Sequence, residues 1–107
     1  MKSRKTKACE ITKKVKQVVW KRQNGVSIYS GTPISVSECC CHVVPRSKGG
    51  MGIEENIVGL TIEEHRIFDG NRIGNRKEET DHIRKAVMDH LKECYPEWSD
   101  ERMKYRK

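Results

Sequence analysis

The sequence has no run of apolar residues long enough to cross a bilayer, and its basic start, Met1 to Lys7, is not followed by the apolar segment of a secretory signal. We therefore expect a cytoplasmic protein with no membrane partner. Apolar residues are scarce throughout, 35% of 107. That scarcity excludes a large layered fold and leaves one domain, 1–107, with a modest core, to which a bound metal ion can add stability. Nor is there a pairable set of cysteines. The five, Cys9, Cys39, Cys40, Cys41 and Cys94, are odd in number and three are consecutive, which argues against a disulfide framework and for reduced thiols.

Acidic residues are nearly missing from the N-terminal part. Between Lys2 and Arg22 there are nine basic residues and one acid, Glu10, and the whole chain carries a net charge of +7. This imbalance points to a polyanionic partner; the competing reading is a solvated basic arm that serves none.

Residues 1–10 read as a basic, flexible arm. Ile11, Val15, Val18 and Val19 then recur at helical spacing, with Asn24-Gly25 as the stop and Lys14, Lys16 and Lys21 on the outer face, open to phosphates. Alternation predicts a strand over Val26-Ser27-Ile28-Tyr29, a turn at Gly31-Thr32-Pro33, and a buried strand over 37–44. A loop over 45–55 leads to a further strand, Ile57-Val58-Gly59-Leu60. Thr61 and Glu64 have capping-box spacing, so a helix should begin at Ile62 and end near Gly70. His65 and Asp69, four apart within it, share a face and can converge on one ion. A polar connector over 70–77 precedes C-terminal helices over 78–107. In the first, Thr80 and Asp81 are candidate caps, Ile83, Val87, Leu91 and Cys94 form the stripe, and Pro96 is the stop. Ser99 can cap a last short helix, with Trp98 stapled to Met103.

The stretch Cys41-His42-Val43-Val44-Pro45-Arg46-Ser47-Lys48-Gly49-Gly50, followed by Asn56, His65 and Asp69 at intervals of fourteen, nine and four residues, resembles the HNH endonuclease family. The likeness is strongest over 26–70 and closest to the small HNH proteins of bacteriophages of Gram-positive hosts. It implies an α+β fold with a small ββα-metal (His-Me finger) core, a two-stranded antiparallel hairpin plus a ligand helix, flanked by N- and C-terminal amphipathic helices. It also implies a metal-dependent DNA endonuclease that leaves a 5′-phosphate and a 3′-hydroxyl. A phosphodiester resists hydrolysis because its charge repels the nucleophile and its leaving alkoxide is poor. The resemblance makes His42 the general base, a role suited to imidazole with its pKa of about 6.5. It places one divalent ion (Mn, Ni, Zn or Mg) on His65, Asp69 and Cys41, and makes Asn56 the residue that holds the loop bearing His42. Arg46, Lys48 and Arg66, with Lys14, Lys16 and Lys21, are the expected DNA contacts, mostly to phosphate and with weak sequence specificity. Phage terminase or packaging proteins are the partners it suggests, although homing and restriction enzymes use the same module.

Two departures from the family pattern stand out. Many relatives hold a structural zinc with two Cys-x-x-Cys pairs, and the matching positions here are Ser27 with Ser30 and Thr61 with Glu64. No structural zinc is expected. A capping box is worth about 0.5–2 kcal/mol against roughly 10 or more for such a zinc, so the fold should be less stable than in zinc-bearing relatives. Cys41 stands where relatives usually have His or Asp. As a ligand it would favour soft ions over magnesium; otherwise it is a buried strand residue. The competing functional class is a DNA-binding or packaging adaptor that keeps the fold without cutting. A zinc cluster of all three adjacent cysteines is disfavoured because neighbouring strand residues point to opposite faces, so Cys39 and Cys40 read as packing residues. A cysteine nucleophile paired with His42 has no other support in the chain. His82 and His90 read as ordinary surface or core residues, and Trp20, Trp98 and Tyr105 as packing more than base-stacking groups.

Overall fold

The computed structural model describes residues 3–70 and 77–105. Where the composition predicts a flexible arm over 1–10, a helix forms instead. Ser3 accepts the Thr6 N–H at 3.1 Å and caps α1 (Arg4–Cys9). A helix this short is marginal alone, and docking accounts for it: Cys9 is buried, and the Ala8 carbonyl accepts the Gly52 N–H at 2.9 Å. Thr12 caps α2 (Lys13–Arg22), and the chain leaves that helix through Asn24 and Gly25, both at positive φ. The stripe differs from the one the spacing predicts. Val19 is fully buried, but Val18 is 37% exposed, and the half-buried Trp20 packs inward with its indole N–H on the Ile34 carbonyl at 2.8 Å.

Both predicted early strands shrink. Over 26–29 only the bridge Val26 to Pro33 remains, because the Ser27 hydroxyl accepts the Tyr29 and Ser30 N–H groups and bends the chain into a turn. Over 37–44 a capping box between Ser35 and Glu38 winds Val36–Glu38 into a 3-10 turn, leaving β1 (Cys41–His42). This pairs antiparallel with β2 (Ile57–Val58), Cys41 opposite Val58 and His42 opposite Ile57. Gly59 and Leu60, predicted to extend the second strand, lie beyond it.

The capping box of Thr61 and Glu64 opens α3 (Ile62–Phe68), and Gly70, at φ +73°, follows it. α4 (Lys77–Cys94) is already helical at Thr80 and Asp81, so neither caps it. Thr80 instead donates its hydroxyl to the Ile67 carbonyl at 3.0 Å, tying α4 to α3. Ile83, Val87 and Leu91 are buried as the stripe predicts, whereas Cys94 is exposed. Most of the predicted connector, 71–76, and the last two basic residues, Arg106 and Lys107, lie outside the described residues. Ser99 caps α5 (Asp100–Met103), and Trp98 and Met103 are buried in one cluster.

The result is an α+β chain whose small antiparallel hairpin lies between helices. Strand alternation splits the core. Ile57 joins Val19, Ile34 and Cys39 on the side of α2, while Cys41 and Val58 join Leu60, Phe68 and the α4 stripe on the other. All five cysteines are free. Among the described residues no helix is long and apolar enough to cross a membrane.

Candidate metal centre and adjoining cleft

β1 and α3 bring Cys41, His65 and Asp69 together, with one ligand atom from each lying within 4.8 Å of the others. His65 and Asp69 are one helical turn apart, and Nε2 of the first is 3.1 Å from Oδ2 of the second. The Cys41 sulfur is fully buried beneath them. A second thiol, overlooked by a reading of Cys40 as packing, stands on the other side of the ring: Cys40 Sγ is 3.9 Å from His65 Nδ1. The Asp69 carboxylate, then the Cys40 and Cys41 thiols, hold the His65 proton and push its pKa up to about 12. Burial raises the Cys41 thiol above its ordinary range. A cation therefore has to displace protons from both groups. Nitrogen, oxygen and sulfur donors in one cluster fit a divalent transition ion better than magnesium, and Asp69, with a side chain 59% exposed, leaves the cluster accessible.

His42 leaves the strand on the opposite face from Cys41, and its Nε2 lies 2.9 Å from the Cys9 carbonyl oxygen. A carbonyl can only accept, so Nε2 carries the hydrogen and Nδ1 keeps its lone pair. Burial, reinforced by the Arg46 charge and opposed by the Cys9 bond, lowers the pKa of this imidazole. The helix that replaces the expected arm thus sets the tautomer of His42. No periodicity could have revealed this, since it depends on two residues 33 apart in sequence.

Asn56 is fully buried. Its amide oxygen accepts the Val44 N–H at 2.8 Å, and its nitrogen donates to the carbonyls of Val44 at 3.1 Å and Met51 at 2.9 Å. The amide therefore clamps both ends of the loop that leaves β1 directly after His42. Gly50 completes the loop: a Cβ there would lie 1.7 Å from the Val44 carbonyl oxygen. The four positions Ser27, Ser30, Thr61 and Glu64 also converge. Glu64 accepts the Ser27 hydroxyl and the Thr61 N–H, while Ser27 accepts the Ser30 N–H, so a polar network fixes the start of α3 against the 26–33 turn.

His42, His65 and Asp69 line one cleft of about 640 Å³, together with Arg46 and Lys48. Lys16 lines a smaller groove beside it. Arg66, Lys14 and Lys21 are exposed but line neither. Arg84 and Lys104, which the spacing of motifs did not single out, lie in the cleft that contains His42, His65 and Asp69. Comparison with protein-family models, curated proteins and solved structures finds no match to this chain.

Proposed function

We propose that this protein is a metal-dependent DNA endonuclease of the HNH type, and that β1, β2 and α3 form its ββα-metal core. One observation carries the reading: an imidazole from the hairpin and the His65–Asp69 pair of the following helix line the same cleft. Hydrolysis of a phosphodiester needs a base for water and positive charge at the phosphate. His42 suits the first task, because the Cys9 carbonyl fixes the hydrogen on Nε2 and leaves Nδ1 to take a proton from water. The same carbonyl then bonds more strongly to the imidazolium that forms. Asn56 keeps the strand end and loop rigid, so the base does not drift from the phosphate. Cys41, His65 and Asp69 would hold the metal ion, which when bound supplies the charge that polarises the phosphoryl oxygen and stabilises the departing 3′ oxygen. Arg46 and Lys48, exposed on the loop after His42, contribute phosphate contacts.

The complete burial of Cys41 favours a second reading, in which the chain binds DNA as a packaging adaptor without cutting it. Supercoiled plasmid incubated with manganese, nickel, zinc or magnesium separates the two. We expect nicking by the wild type and none by His42→Ala, which should still bind DNA. Binding without nicking by the wild type under every ion would select the adaptor.

A further inference from the structure

Two clefts meet at the imidazole of His42. The larger contains Arg46, Lys48, Arg84 and Lys104 against the carboxylates of Asp69 and Asp100, and Asp69 is already engaged by His65. The smaller runs towards α2 and contains Lys16 and Arg46 against Glu10. Cys40, His42 and Arg46 line both. We infer that a nucleic-acid strand runs through the joined clefts, with Lys16 holding a phosphate on one side of the scissile bond and Arg84 and Lys104 holding phosphates on the other. This rests on the nuclease reading and adds to it a binding arm built from the C-terminal helices, outside the hairpin and ligand helix.

The two new cations are held in place by the fold. The Arg84 guanidinium lies 4.6 Å from the centre of the Phe68 ring, a contact that restrains the side chain while its N–H groups can still donate to phosphate oxygens. Lys104 follows α5, and its backbone bridges antiparallel to Gly50. The next residue, Tyr105, donates its N–H to the Gly49 carbonyl at 2.7 Å. The loop that carries Arg46 and Lys48 and the C-terminal segment that carries Lys104 are therefore laced together, and the spacing of their charges is set. Lys104 Nζ pairs with Glu101 at 3.2 Å; a pair this exposed is weak enough to exchange for a phosphate. A strand seated this way needs nucleotides on both sides of the cut, which makes the site suited to internal bonds and poor at chain ends.

The test measures binding of a labelled DNA duplex by fluorescence anisotropy across a salt series, in full-length protein carrying His42→Ala so that cleavage does not intervene. Arg84→Gln with Lys104→Gln should weaken binding roughly tenfold or more and flatten the logarithmic salt slope by about 0.9 for each phosphate no longer neutralised. Arg84→Lys should restore most of its share, while Lys85→Gln with Lys92→Gln, exposed and outside both clefts, should leave affinity and slope nearly unchanged. In the catalytically intact protein, substrates truncated on either side of the nicked bond should be cut more slowly. If the wild type nicks plasmid but the Arg84 and Lys104 variant binds with unaltered affinity and slope, the C-terminal arm is wrong and the nuclease reading stands. A wild type that neither binds nor nicks DNA removes both. Displacement of the DNA by polyglutamate at equal charge concentration would overturn the strand path in favour of an acidic protein surface.

Discussion

Arg22 sits at the end of α2 among the lysines that give the N-terminal part its charge, yet its guanidinium is used internally. Nη1 donates to the Glu54 carbonyl and Nη2 to the Ile57 carbonyl, each at 2.8 Å, and the group lies 5.7 Å from the Tyr95 ring centre. Arg22→Ala would strand two partly buried carbonyls and should cost about 2–4 kcal/mol in urea denaturation; a loss below about half a kcal/mol would show that water replaces the fork. Lysine cannot reproduce the planar two-point contact and should recover only part. The same guanidinium acts on His90. Burial first, then the Arg22 charge, lowers the His90 pKa from 6.5 to about 4. Between those values the unfolded chain binds the proton and the folded chain does not, so this histidine's contribution to stability is complete above pH 6.5 and is lost as the pH falls towards 4. Melting curves at pH 7 and pH 4.5 should therefore diverge more for the wild type than for His90→Gln. Equal divergence in the two proteins would remove His90 from the account.

At the scale of elements, the end of α1 and the 43–56 loop are fitted to each other without clearance. A Cβ on Gly52 would lie 1.9 Å from the Glu10 carbonyl oxygen, and the Gly52 N–H bonds to Ala8. Gly52→Ala must force the loop and the helix end apart. We expect a loss of at least about 1–3 kcal/mol and, on the proposed nuclease reading, a marked fall in nicking, because the Cys9 carbonyl bonded to His42 belongs to the same helix end. An unchanged urea midpoint would show that the contact yields cheaply. α3 is anchored differently: its first turn is held by Thr61, Glu64 and Ser27, and its last by Thr80 of α4. A helix fixed at both ends holds His65, and Asp69 directly after its last residue, on a rigid base, as chelation of an ion by the pair would require.

For the molecule as a whole, metal binding and stability are one equilibrium if the ion binds only the folded state. A divalent ion at about a hundred times its dissociation constant should add about 2.7 kcal/mol, raising the melting temperature by roughly 10 °C for a chain of this size. Chelator should reverse the gain, and His65→Ala should abolish it. A melting temperature indifferent to manganese, nickel and zinc would leave Cys41, His65 and Asp69 as an ion pair beside a buried thiol.

What the sequence determined by itself is local. The capping box, the spacing of His65 and Asp69, the stop at Asn24-Gly25 and the α4 stripe from Ile83 to Leu91 all follow from rules that act over a few residues, and each lies where those rules put it; Cys94, which the same spacing added to the stripe, is exposed. Motif spacing also singled out His42 beside His65 and Asp69, and the three line one cleft. The tertiary structure decided the rest. It cut the strands to two residues each, because side chains took backbone groups that a ladder would have used: the Gln23 amide bonds both the N–H and the carbonyl of Gly59 after β2, and the Glu38 carboxylate accepts the Ser35 N–H before β1. It ordered α1 by giving Cys9 something to be buried against, and it turned Arg22 inward. It also brought Cys40, Arg84 and Lys104 to the cleft. These outcomes depend on residues tens of positions apart, and their energies come from burial and from donors meeting acceptors, neither of which has a period in the sequence.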